Sequence, residues 1–197
     1  MATSEPSLEQ VERDIAELLR TEEIGSLAVL DSTGAPAVSM MHFAADGFVV
    51  YLHTFTYSRK HEAIARDPRV SYTIAAIPPD GFYGRGQLRA IQVEGIASFV
   101  TEPAEIQRAV EVSREQFDWM KDLSLYDTFE KGTAHHQMFI RIDPLEALWN
   151  DNRVRLLWRK IVTFSEDGKR ISTMSRYETK LRAMSSADAD ADGGPAS

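Results

Sequence analysis

Tyr51 to Ile64 reads YLHTFTYSRKHEAI and holds the residues of this chain best suited to chemistry. A β-forming run ends at Thr54, a short loop follows, and Ser58-Arg59-Lys60 open a predicted helix. A hydroxyl, two cations and the free amides of a helix start converge there, which suits an anion such as phosphate. By itself the tripeptide also reads as a helix cap followed by two solvated cations.

Other groups carry less. His42 lies among apolar residues and either faces a ligand or sits satisfied in the core or at the surface. His135 and His136 are adjacent, and neighbours on a strand point to opposite faces, so no metal site is expected from them. Glu102 and Glu105 fall at a helix start, where the macrodipole accounts for them. The chain has no cysteine, which excludes disulfides, thiolate nucleophiles and iron–sulfur clusters and is compatible with a cytoplasmic location. Sequence signatures of nucleophile elbows, zinc proteases, Walker loops and dinucleotide folds are absent. No side chain stands out as a general acid or base.

The elements that must position these groups are mostly strands. Ser7 and Gln10 form a capping-box pattern, and Val11, Ile15, Leu18 and Leu19 recur at helical spacing. Strands are predicted at 24–31, 36–43, 48–54 and 70–77, with Ser32-Thr33-Gly34 and Asp46-Gly47 as turns. A short helix at 59–66 should stop at Asp67-Pro68. A long strand covers 88–100 with a bulge expected at Gly95, and a helix runs from Pro103 to about Met120. Residues 121–133 are the least readable. Strands return at 138–142 and 145–149, and 153–164 with 170–174 form a last hairpin. Consecutive strands joined by hairpins predict a mainly β fold with flanking short helices, an antiparallel barrel rather than a parallel sheet.

With 197 residues, 43% hydrophobic and 26% charged, the chain suits a single domain over 1–184. Residues 185–197 (SSADADADGGPAS) lack any large apolar side chain and are expected to be a disordered acidic tail. No apolar run is long enough to span a bilayer, so no membrane partner is expected. A formal net charge of −8 argues against nonspecific nucleic-acid binding.

The order HTFTYSRKHEAIARDPRVSYTI, then RAIQVEGIASFVTEPAE, resembles the pyridoxamine 5′-phosphate oxidase-like, FMN-binding split-barrel superfamily over roughly residues 10 to 165. The family pattern of a Thr before Ser-Arg-Lys, then Asn/Asp-Pro, then Arg-x-x-x-Val-Glu-Gly falls on Thr54, Ser58 to Lys60, Asp67-Pro68 and Arg89 to Gly95. Near the end, Trp149, Arg155, Leu156 and Arg159 stand at the spacing of the oxidase's C-terminal pattern. The resemblance implies a six-stranded antiparallel split β-barrel that binds FMN. It implies cofactor contacts from His53, Thr54, Ser58, Arg59, Lys60, Trp149 and Arg159, with Arg155 and His42 facing the substrate.

Departures accompany the matches. The family's phosphate-binding Arg falls on Ser39, its substrate-holding Lys falls near Ala44, and its substrate His is Leu157. The family's Gln falls on Ala90, with Gln92 on the same face as its substitute. The expectation is therefore an FMN-dependent oxidoreductase acting on a small molecule other than pyridoxamine phosphate, as a homodimer with flavin sites at the interface. Two alternatives stay open: an F420-dependent reductase of the same fold, and a non-catalytic module that binds haem, another tetrapyrrole or flavin.

Overall fold

The computed structural model describes residues 5–120, 126–130 and 136–177. Helix α1 (Leu8–Thr21) starts at Ser7, whose Oγ accepts from the Gln10 amide at 3.2 Å. Only half of the expected capping box forms, because the Gln10 side chain turns to Arg13 and Asp14, at 2.8 and 3.2 Å. Val11, Ile15, Leu18 and Leu19 make its buried stripe.

Strands β1 (Ile24–Leu30) and β2 (Pro36–His42) are joined by a turn built on Asp31. Its Oδ1 accepts from the Thr33 amide, the Thr33 hydroxyl and the Ala35 amide at 2.8, 2.7 and 3.0 Å. Phe43 separates β2 from β3 (Ala44–Asp46), and Gly47, at φ +67°, turns the chain into β4 (Val49–Phe55). Helix α2 (Arg59–Arg66) ends before Pro68, and β5 (Arg69–Ala76) and β6 (Arg89–Phe99) follow.

Helix α3 (Pro103–Gln116) stops short of its expected end, and a 3-10 turn covers Asp118–Met120. Gln116 anchors that end. Its Nε2 donates to the Leu19 and Phe43 carbonyls, both at 3.0 Å, and its Oε1 accepts from the Ala45 amide at 2.9 Å. A single turn, α4 (Asp127–Glu130), falls in the stretch the sequence left unread.

The strands expected at 138–142 and 145–149 are one strand, β7 (Gln137–Asp151). Pro144 is tolerated inside it because the ladder is irregular there: Glu94 faces Glu146, Gly95 faces Pro144, and Leu145 is left over. The expected bulge thus lies opposite Gly95, on the partner strand. Gly95 is still required, since a Cβ there would sit 2.6 Å from the Asp143 carbonyl oxygen. Strands β8 (Arg159–Phe164) and β9 (Ile171–Arg176) complete the order. Residues 153–157, expected in the last hairpin, form a loop instead. The Asp151 carboxylate takes the Arg153 amide and guanidinium at 2.9 and 2.7 Å, and Leu157 adopts φ +61°.

All pairings are antiparallel, in the order β2-β1-β5-β6-β7-β4-β3, with β8 on β7 and β9 on β8. Strand β7 is the pivot: its first half pairs with β4 and its second half with β8, while β6 runs along its other edge. The result is a mainly β, half-barrel sheet of the split-barrel kind. It has nine strands among the described residues where six were expected, because β3 splits from β2 at Phe43 and β8 and β9 extend the sheet. One apolar core lies between the sheet and α1 and contains Leu27, Tyr72, Ile91, Val93, Trp149 and Trp158. A second lies under α3 and α4, around Val110, Phe117, Phe129 and Phe139. The expected tail at 185–197 lies outside the described residues.

Candidate functional site

The chain leaves β4 at Phe55 and reaches α2 through a tight turn in which the Ser58 amide donates to the Phe55 carbonyl at 3.0 Å. Ser58 caps the helix, its Oγ accepting from the His61 amide at 3.3 Å. Behind it, Thr54 is only 2% exposed, and its Oγ1 lies 2.9 Å from Ser58 Oγ. Arg59 and Lys60 occupy the first helical turn, where the amides have no partner within the helix. Neither cation has an ion-pair partner among the described residues. Burial alone lowers the Lys60 pKa from the ordinary lysine value.

The two cations, but not Thr54 or Ser58, line a cleft of about 200 Å³ between α2 and the β1–β2 hairpin. Ser39 faces it from β2, Arg59 and Lys60 from the start of α2, and Arg66 from the end of α2. Arg66, which donates to the Leu30 carbonyl at 2.7 Å, is a cation the sequence reading missed. Its signal was present: positions 59, 63 and 66 share one face of a helix. Asp31 and Glu62 temper the positive charge at the rim.

A second cleft, of about 170 Å³, continues along the same strand. Ala37 to Ser39 line the first cleft, and Met40 to His42 line the second. Its other walls are Tyr51 and His53 from β4, Ser113 from α3, and Phe117, Trp119 and Tyr126 beyond it. Among the described residues, no Asp, Glu, Lys or Arg lines it. His42 packs edge-on to Phe117 and beside Trp119, with centroids 5.6 and 5.2 Å away. Glu23 fixes Trp119 by accepting from its indole N–H at 2.6 Å. Burial and the nearby Glu105 push the Tyr51 phenol up to about 12.

His53 lines the second cleft from β4. Phe55, Phe129 and Phe139 meet its ring edge-on, and its Nε2 is shut from water without a hydrogen-bond partner. Its pKa is lowered, by burial first and also by the charge of Lys60, against a hydrogen bond with Gln137 that raises it.

The remaining residues singled out by sequence lie elsewhere in the chain, outside both clefts. Gln92 is exposed on β6 between Thr73 and Leu148. Trp149 is 0% exposed, so no face of its indole is open. Arg155 is exposed in the loop after β7. Arg159 opens β8, with Nε 3.4 Å from Asn150 Oδ1 and its guanidinium 5.8 Å from the Tyr177 ring centre. His136 is exposed beside Tyr57, whereas His135 lies outside the described residues. Among the described residues, no group of three His, Cys, Asp or Glu side chains is placed to hold a metal ion. No helix among them is long and apolar enough to cross a membrane.

The first cleft offers hydroxyls and cations to an anion, and the second, lined from the next residues of the same strand, offers aromatic walls.

The family model described as pyridoxamine 5′-phosphate oxidase matches residues 12–148. No curated protein matches the chain in sequence. Among solved structures, a conserved hypothetical protein of Mycobacterium tuberculosis is 24% identical, with a TM-score of 0.59, over 78% of this chain and 89% of that one. A haem-binding protein of Mycobacterium smegmatis is 19% identical, with a TM-score of 0.63, over 84% of this chain and 60% of that one. Campylobacter jejuni ChuZ is 12% identical, with a TM-score of 0.64, over 86% of this chain and 65% of that one. These likenesses establish a shared fold.

Proposed function

From the premise that this chain belongs to the pyridoxamine 5′-phosphate oxidase family, we propose that it is an FMN-dependent oxidoreductase acting on a small molecule. The observation that carries this reading is the meeting of Ser39, Arg59, Lys60 and Arg66 in one cleft, with the aromatic slot lined from the next residues of the same strand. Ser58, the two cations and the helix amides would hold the phosphate, and the slot lined by Met41, His42 and His53 would take the ring. Bound flavin supplies the hydride chemistry, while the chain orients the ring and limits its access to water.

The substrate of this reading is not pyridoxamine phosphate. The position of the substrate-holding Lys is near Ala44, which is buried in the second core, and the position of the substrate His is Leu157. Among the described residues, the aromatic slot has no lysine or arginine to receive a second phosphate. Arg66 extends the basic surface along α2, which keeps an F420 cofactor with its longer anionic tail as a variant.

The proposed enzyme is a homodimer. Val38 and Met40, at the walls of the two clefts, are 68% and 74% exposed on the edge strand β2, an apolar surface that a second copy of the chain would cover. Arg155 and Arg159 lie outside the clefts of their own protomer, so a second copy is the route by which they would reach a flavin.

A second reading, a haem-binding module, is favoured by the unpartnered His53 Nε2 with His42 in the same slot. Absorption of the purified protein separates the two. Flavin bands, or saturable uptake of FMN far tighter than riboflavin, support the first. A Soret band with no affinity for FMN or F420 overturns it.

A further inference from the structure

We propose that Trp119 is the specificity-determining face of the aromatic slot, stacking on a flat, uncharged ring of the substrate; its role as a substrate wall rests on the flavin reading above. The chain has three tryptophans. Trp149 and Trp158 are 0% and 1% exposed, whereas Trp119 lines the slot and is 50% exposed. Its position is nonetheless fixed. The indole N–H donates to Glu23 Oε2 at 2.6 Å, and the turn that carries it follows the end of α3 held by Gln116. Glu23 is anchored in turn, its carbonyl taking the Phe43 amide at 2.9 Å.

A half-exposed indole tied down by a carboxylate keeps a large apolar surface in water. Its ring neighbours in the slot are tilted to it, His42 by 53° at 5.2 Å and Phe117 by 32° at 6.1 Å. Neither takes up the flat stacking that an indole offers a planar partner. A wall already rigid before the ligand arrives costs little to order on binding.

The walls also set the charge of the ligand. Among the described residues the slot has no lysine, arginine or carboxylate, so an anion there would lose its water without a partner. A cation would gain from the ring faces, but the nearby carboxylates are already engaged, Glu23 by Trp119 and Glu105 by Arg141 at 2.9 Å. The Tyr51 and Ser113 hydroxyls donate to Glu105 and to the Ala109 carbonyl, which leaves their oxygens to accept. A neutral planar group bearing an N–H, such as an aromatic amide, fits these conditions together.

The test is calorimetric titration of the chain, with and without bound FMN, by four small probes: benzamide, the non-planar cyclohexanecarboxamide, benzoate and benzyltrimethylammonium. The wild type should bind benzamide roughly two- to tenfold more tightly than cyclohexanecarboxamide, the worth of one aromatic stack, and more tightly than either ion. Without FMN, its tryptophan emission should shift to the blue as benzamide covers Trp119, since the other two indoles are already buried. Trp119→Leu should bind the two amides equally, and Trp119→Phe should keep part of the preference. Glu23→Gln, which still accepts from the indole, should behave as wild type, whereas Glu23→Leu should lose part of the preference. Equal binding of the two amides by the wild type, no binding of benzamide, tighter binding of either ion, or a preference unchanged in folded Trp119→Leu overturns the proposal. Benzamide that binds with no change in emission, or only without FMN, overturns it as well. If Trp119→Leu does not fold, the wild-type emission and the two Glu23 variants decide. A wild type that takes up no FMN overturns the flavin reading, and the titrations without FMN then decide the stacking role of Trp119.

Discussion

Thr54 Oγ1 and Ser58 Oγ lie 2.9 Å apart, joining the buried end of β4 to the cap of α2. The contact makes the helix start, and with it Arg59 and Lys60, a fixed extension of the sheet. Thr54→Val keeps the shape and removes the hydroxyl. It should lower stability by about 1 kcal/mol, the worth of one modest hydrogen bond. Ser58→Ala should cost about 0.5–2 kcal/mol for the lost cap. Because both act through one contact, the double variant should fall short of the sum. Urea denaturation of the four proteins measures this, and strict additivity would show the two hydroxyls to be independent.

The two cations are separable from the cap. Arg59→Ala and Lys60→Ala should each weaken FMN binding by about 1.5–3 kcal/mol, as expected for hydrogen bonds to a charged group. Riboflavin, which lacks the phosphate, should change little. Isothermal titration with both ligands checks this, and equal losses would place the cations away from a phosphate.

How far the sequence foretold this site follows from how far apart its parts lie along the chain. Ser58, Arg59 and Lys60 are contiguous, and the cap, the loop before it and Asp67-Pro68 after it are local signals, so α2 was legible to the residue. The aromatic slot was not. It joins His42 and His53 to Phe117 and Trp119, more than sixty residues away, and depends on α3 ending at Gln116. The same limit explains the loop at 153–157. Alternating Arg and Leu mimicked a strand, while the Asp151 carboxylate, which the pattern cannot weigh, bends the chain. Gly95 was read as a bulge from its type alone; that the extra residue sits on the partner strand depends on register.

Acid should weaken the fold through His53. Its folded-state pKa is lowered, so the unfolded chain takes up this proton first as pH falls. The associated stability is fully present above the ordinary histidine value and is lost as pH falls below it toward the depressed one. His53→Phe should therefore show a flatter stability profile between roughly pH 7 and pH 5, the range around the ordinary histidine value. Parallel profiles for the two proteins would show that His53 takes up its proton equally in both states.

Gly95→Ala tests the pivot between β6 and β7. The new methyl would sit 2.6 Å from the Asp143 carbonyl oxygen and 2.9 Å from Ile142 Cγ2. A backbone carbonyl paired in a ladder cannot retreat as a flexible side chain can, so a cost of roughly 2–4 kcal/mol is expected. Gly86→Ala, with nothing within 4 Å of its new methyl, is the matched control and should be nearly neutral. Similar melting temperatures for the two variants would refute the role given to Gly95.

Arg159 decides whether one protomer suffices. It lines neither cleft, and its side chain meets Asn150 and Tyr177 instead. In a monomeric site Arg159→Ala should leave FMN affinity as it was. In the proposed homodimer, Arg159 of one subunit reaches the flavin seated at Lys60 of the other, and the variant should lose about 1.5–3 kcal/mol of binding, as for any charge-assisted contact. Mixing Arg159→Ala chains with Lys60→Ala chains then makes heterodimers in which one of the two sites has both residues intact. Up to half of the sites in those heterodimers should regain wild-type affinity. Sedimentation fixes the heterodimer fraction and flavin fluorescence counts the recovered sites. Heterodimers that form and recover no site would place Arg159 and Lys60 at the same subunit's flavin.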